Sequence, residues 1–190
     1  MAATVKGSVV TAAYDHLKRT YGDEVWADTL ARLDADDLAL VKASARTLQF
    51  PVATDGRVMA SFVAVRFEGN HMLAESELRR GGASQADSML SGVFSVFARL
   101  ASPRQAFLKA GSIITSVYTG VSHSTEEAAD GGGGTLYLRG LGQSHFVAPW
   151  QCGWMERALV HFGSTSPKVT ERNWTAGRDA ADELVYEIRF

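Results

Sequence analysis

Apolar positions in this chain keep one period for most of its length and then switch to another. Val9, Val10, Ala13, Leu17 and Tyr21 recur at three- and four-residue spacing, which predicts a helix over about Ser8 to Thr20 that Gly22 ends. Asp23 is placed to cap a second helix through Val25, Trp26, Thr29, Leu30 and Leu33, and Asp34 a third through Leu38, Leu40, Val41 and Leu48. Phe50-Pro51 stops that run. Met59, Phe62, Val63, Val65 and Phe67 predict a fourth helix up to Gly69, and Met72 to Leu100 is helical again. Within it Gly81-Gly82 marks a candidate kink or break, since each glycine costs a helix about 1 kcal/mol against alanine. Ser102 caps and Pro103 opens a last helix carrying Phe107, Leu108, Ile113, Ile114, Val117 and Tyr118.

Beyond that point the period falls to two. Val121 to Thr125 and Thr135 to Arg139 read as strands joined across Gly131 to Gly134, a flexible hairpin connection; a phosphate cradle there would need a following helix and a lysine. Trp150 to Phe162 returns to a helical pattern, and Val169 to Trp174 and Leu184 to Phe190 alternate once more. The order β-β-α-β-β predicts a four-stranded antiparallel sheet under a helical layer, an α+β fold. No linker-like run divides the chain, so residues 1–190 are expected to form one domain, helical over about 6–118 and sheet-forming over about 121–190.

Charge and cysteine usage narrow the class. The net charge of -2 comes from 19 basic and 21 acidic residues spread along the chain, which gives no footprint for a phosphate backbone and argues against nucleic acid. The single cysteine, Cys152, and the absence of a leader pattern in Met1 to Gly7 point to a cytoplasmic protein. No apolar run approaches the roughly 18 to 20 residues that span a bilayer.

Short motifs carry a resemblance over nearly the whole chain: Lys6-Gly7, Tyr21-Gly-Asp-Glu-Val-Trp26 with Leu30 and Leu33, Asp36-Asp37, Phe50-Pro51, Gly153-Trp-Met-Glu-Arg157 with Ala158 and Leu159, and Val185-Tyr186-Glu-Ile188. Together they resemble a Myxococcales-restricted family of uncharacterised proteins. That family is distantly similar to 4-vinyl reductase, haem nitric-oxide-binding and Bet3-like domains, which share a helical layer on a four-stranded sheet and often a ligand cavity. The resemblance implies a sensory, ligand-binding or protein-interaction module rather than an enzyme. Relatives carry a Cys-x-Ala-x-Gly-Asp pattern in the final hairpin, and here Trp174 to Asp179 has no cysteine. No thiolate metal or redox site is therefore expected, and Gly177 and Asp179 read as turn residues.

The titratable residues offer little chemistry. His16, His71, His123, His145 and His161 show no metal-ligand spacing. A haem-binding relative implies an axial histidine on the helix before the sheet, yet Met72 to Ser122 holds none, leaving His123 or Tyr118. No metal and no cofactor are expected. Cys152, near the predicted start of its helix, would be a thiolate nucleophile if the helix end lowers its pKa, and His145 could act as a base; both also suit buried structural roles. Arg79-Arg80 suit a solvated face or an anion. What stands out is a set of large apolar residues, Phe97, Phe107, Ile114, Tyr118, Tyr137, Trp150 and Trp154, which can line a cavity for a small apolar ligand or fill a core. Trp26, on an apolar stripe, is the candidate anchor of a homodimer or protein interface, or a staple between the first two helices. The expected function is thus a non-enzymatic sensory, ligand-binding or interaction module; the alternatives are an enzyme using Cys152 or His145, and a haem-based gas sensor.

Overall fold

The first half forms six helices among the residues described by the computed structural model, which are 2–43, 49–90, 101–141, 146–173 and 183–190. Helix α1 (Gly7–Tyr21) buries Val10, Ala13, Tyr14 and Leu17, the three- and four-spaced face. Gly22 ends it at a φ of 92°, a conformation that suits glycine. The same residue, and not Asp23, is the N-cap of α2 (Asp23–Ala31); Asp23 and Glu24 occupy the first turn, where carboxylates favour the positive helix end. Asp34 caps α3 (Ala35–Lys42) by accepting a hydrogen bond from the Asp37 N–H at 2.8 Å. Helix α4 (Val52–Phe67) begins directly after Pro51, seven residues before the apolar run at Met59. A Ser102–Gln105 capping box and Pro103 open α6 (Pro103–Val117).

Helix α5 (His71–Leu90) passes through Gly81 and Gly82 without a break, contrary to the expected kink. Packing is the reason. The helix of the second half, α7 (Val147–His161), crosses α5 at backbone contact: a Cβ on Gly82 would stand 1.9 Å from the Trp150 carbonyl oxygen, and one on Gly153 1.9 Å from that of Arg79. No helix among the described residues is long and apolar enough to cross a membrane.

The four predicted strands form one antiparallel sheet in the order β4 (Ser122–Glu127), β5 (Gly133–Arg139), β7 (Glu183–Arg189), β6 (Lys168–Glu171). The architecture is α+β. Leu136, Leu138, Val169, Leu184, Tyr186 and Ile188 point inward and are at most 3% exposed. Gly133 and Gly134 belong to β5, so half of the expected flexible run is strand, and the Phe107 ring occupies the space a Gly134 side chain would take. A second sheet was not predicted: β1 (Thr4–Lys6) pairs on one side with β2 (Gln49–Pro51) and on the other with β3 (Tyr118–Thr119). Strands of two or three residues are too short to show alternation. The main core runs continuously from Val5, Val10 and Tyr14 through Val58 and Phe107 to Leu136, Cys152 and Tyr186.

Candidate functional site

The interface between helices and sheet is where the sequence left a ligand cavity or a filled core open, and its side chains divide into separate groups. Phe107 is 1% exposed, 5.9 Å from the Phe190 ring, and packs in the main core with Ile114, Tyr118 and Trp154. Trp150 belongs to a second core with Leu17, Phe62 and Leu78. Its indole N–H donates to the Gln85 amide oxygen at 2.8 Å, the Gln85 amide donates to the Val9 carbonyl at 2.9 Å, and its ring lies edge-on to His16 at 5.9 Å. Tyr137 corrects the expectation. It alternates with the inward Leu136 and Leu138, stands on the outer face of the sheet, and donates its hydroxyl to Glu126 at 3.0 Å. Phe97 and His145 lie outside the described residues. Trp26 is half-buried with its ring 5.2 Å from Tyr14, so it staples α2 onto α1.

Polar groups inside this interface are joined to one another. The Tyr186 hydroxyl donates to the Gln151 amide oxygen, and the Gln151 amide donates to the Tyr118 hydroxyl at 3.3 Å, so one α7 side chain ties β7 to β3. Burial raises the pKa of both phenols, that of Tyr118 to about 12, and keeps them neutral. Tyr14 donates to Asp55 at 3.0 Å; burial pushes the Asp55 carboxyl up to about 6 against that hydrogen bond. Hydropathy patterns treat Gln151, Gln85 and Asp55 as solvent-facing, which is why none was singled out from sequence. Capped apolar helices carrying a lone Gln or Asp on the inward face were the available signal.

Cys152 is fully buried, and burial pushes its thiol up to about 12 despite the nearby Arg79 guanidinium. That burial favours the neutral thiol, in keeping with the structural role and against the thiolate alternative. Helix α7 begins at Val147, so Cys152 is one turn further from the helix end than the sequence suggested, and the dipole effect fades within the first turn.

The four described histidines are each engaged elsewhere. His123, on the inner side of β4, lies across Gly111 of α6, where a Cβ would meet its ring at 1.7 Å. His71 stacks on Phe146 at 6.2 Å, and His161 is 2.8 Å from Asp87. Burial, then Arg19, lowers the pKa of His16. Among the described residues no group of three or more His, Cys, Asp or Glu side chains could hold a metal ion. An open surface concavity of about 380 Å³ between α5 and α7 is lined by Arg79, Arg80, Ala83, Gly153, Arg157 and Val160. Its arginines are paired with Glu75 and Glu156, Glu77, and Asp87 respectively, so it offers an anion no free cation.

No family model matches the chain, and no curated protein matches it. Solved structures do. The fold is that of H-NOX proteins. The Fe(II) unliganded H-NOX protein from K. algicida superposes with a TM-score of 0.72 at 12% identity, over 97% of this chain and 95% of that one. A Cs H-NOX mutant with 4-cyano-L-phenylalanine at site 5 gives 0.66 at 15% identity, covering 97% and 96%. A mutant of T. tengcongensis H-NOX gives 0.59 at 16% identity, covering 97% of each. Of the three distant resemblances read from sequence, the haem nitric-oxide-binding one is the one these neighbours match.

Proposed function

We propose that this chain is a non-enzymatic sensory module on an H-NOX fold, and that it works without an iron–histidine bond. The likeness over 97% of the chain to H-NOX proteins carries the first part. A buried, neutral Cys152 supports the non-enzymatic reading. Because one neighbour is described as an Fe(II) protein, and another by its haem redox potential and porphyrin distortion, haem is the first ligand to weigh, ahead of an unspecified apolar molecule.

The residues present do not fit a haem held in that way. Residues 72–122 contain no histidine, His123 is laid on Gly111, and Tyr118 is bound by Gln151. Phe107, Leu136, Leu138 and Tyr186, none more than 1% exposed, fill the space between helices and sheet. Under this reading the response passes through Gln151, since displacing α7 disturbs β3 and β7 together. Titrating haem into the purified chain tests it: no Soret band and no retained iron are expected. A Soret band at one haem per chain rejects the proposal and establishes the alternative that the fold likeness favours, a haem-based gas sensor.

The reading further includes membership of the myxobacterial family, a cytoplasmic location and a homodimer formed through helices. Trp26 would contribute to such an interface with the edge that Tyr14 leaves uncovered. Light scattering at tens of micromolar is expected to give twice the chain mass, and a monomer rejects the dimer.

A further inference from the structure

We propose that Glu171, Glu75, Arg79 and Glu156 form a proton-responsive latch that holds strand β6 against α5 and α7. Strand β6 is an edge strand of the four-stranded sheet, so among the described residues one side of its backbone has no partner strand. Helices supply the partners. The Arg79 guanidinium of α5 donates to the Val169 carbonyl at 3.2 Å, and the Glu156 carboxylate of α7 accepts from the Val169 N–H at 2.9 Å. Arg79 also reaches Glu156 at 3.3 Å and Glu75 at 3.4 Å, so a single cation ties three elements together.

Glu171 follows Val169 by two residues, shares its inward face, and stands opposite Tyr186 in the sheet. Its Oε1 is buried and has no hydrogen-bond partner among the described residues. Among the described residues, the groups that act on it or feel it are Glu75 and Arg79 from α5, Cys152 from α7, and Tyr186 from β7. Cys152 and Tyr186 are neutral, and Lys168 of the same strand stands on the outer face opposite Arg189. Arg79 is therefore the one cation among these groups, and it already serves two carboxylates. A charged Glu171 would be a third. Burial, then Glu75, push its carboxyl up to about 8, with Arg79 opposing.

With its proton in place Glu171 leaves Arg79 on Val169 and Glu156, and β6 is held. When the proton passes to solvent, the new carboxylate repels Glu75 and competes with Glu156 for Arg79, which draws the guanidinium off the Val169 carbonyl. The sign follows from the raised pKa: the folded chain keeps a proton that the unfolded chain loses near 4.5, so the stability this group contributes falls as pH rises from about 4.5 through about 8. The latch does not depend on whether haem binds.

Hydrogen exchange on the full chain between pH 6 and 9.5, corrected for intrinsic rates, reads it directly. Protection of the Val169 to Glu171 amides is expected to fall at least tenfold relative to the β5 amides, with a midpoint near 8, and to stay level in Glu171→Gln. A ¹³C titration of the wild-type Glu171 carboxyl should give the same midpoint. A carboxyl midpoint below 6, or an undiminished pH response in Glu171→Gln, overturns the latch. Should Glu171→Gln fail to fold, Glu75→Gln serves, because losing that like charge must move the wild-type midpoint to lower pH; an unmoved midpoint also overturns it.

Discussion

Gly82→Ala tests whether the α5/α7 crossing is set by backbone contact. In an ordinary helix interior the change should stabilise by about 1 kcal/mol, because alanine is the better helix former. Here the added methyl would stand 1.9 Å from the Trp150 carbonyl oxygen and 2.9 Å from the Trp154 nitrogen. Ordinary contact begins at 3.4 Å, so the helices must part by roughly 1.5 Å, and backbone atoms cannot rotate out of the way as a side chain can. Overpacking of this kind costs about 1–3 kcal/mol, occasionally more. Parting the helices also strains the Trp150–Gln85 hydrogen bond and the Arg79–Val169 contact. A net loss of about 2 kcal/mol is expected, which for a chain of this size lowers Tm by roughly 4–8 °C. Gly153→Ala should lose a similar amount, since its methyl would stand 1.9 Å from the Arg79 carbonyl oxygen. The double variant should lose less than the two together, because both changes open one gap. Urea denaturation followed by circular dichroism measures all three, with the exposed Ser84→Ala on the same helix as reference. A Gly82→Ala protein as stable as wild type, or more so, refutes the close crossing.

Three further outcomes are expected. Asp37 is 2% exposed and accepts hydrogen bonds from Thr54 at 2.8 Å and from Arg57, so Asp37→Ala should cost about 2 kcal/mol in urea denaturation, by the usual range for a bond to a charged group. Cys152 should resist a disulfide reagent in the folded protein and react on unfolding, and Cys152→Ser should cost about 1–3 kcal/mol for a hydroxyl placed among apolar neighbours. Asp55 has a carboxyl raised to about 6 by burial, so the stability it contributes falls as pH rises from about 4 through about 6; Asp55→Asn should remove that decline, seen as the wild-type minus variant difference in melting temperature across pH.

Periodicity made the helices and the four longer strands legible, because an amphipathic element repeats its signal over several turns or alternations. The shortest elements escaped it: Thr4–Lys6, Gln49–Pro51 and Tyr118–Thr119 are two or three residues long and leave no alternation to read. Tyr137 was placed on the wrong face although the sequence held the answer. Alternation allows one phase, and Leu136 with Leu138 fixes it, which turns Tyr137 outward; aromatic size was given more weight than phase. Buried polar residues were the other loss. Gln151, Gln85 and Asp55 are satisfied by partners 33 to 76 positions away in sequence, and no local window contains both ends.

Glycine explains why a cavity was one reading of residues that pack closely. From sequence, Gly81 and Gly82 read as a kink or break and Gly134 as part of a flexible connection, while the large apolar residues suited a pocket wall or a filled core. In the fold each glycine removes a side chain at the point where another element arrives: Trp150 on Gly81 and Gly82, His123 on Gly111, Phe107 on Gly134. The large residues and the small ones are therefore complements, and each pair closes space between two elements. A cofactor pocket needs small residues facing one another across a gap, or large ones facing a ligand. Here a glycine faces a ring at three positions, Gly81, Gly111 and Gly134, and faces backbone at Gly82. Replacing Phe107 by alanine is the change that would open room, and its loss of about 3–5 kcal/mol, as for other buried phenylalanines, would measure how completely that space is filled. A cost below about 1 kcal/mol, or stabilisation of the wild-type chain by a small apolar additive such as benzene, would show that the interface holds a ligand-sized cavity after all.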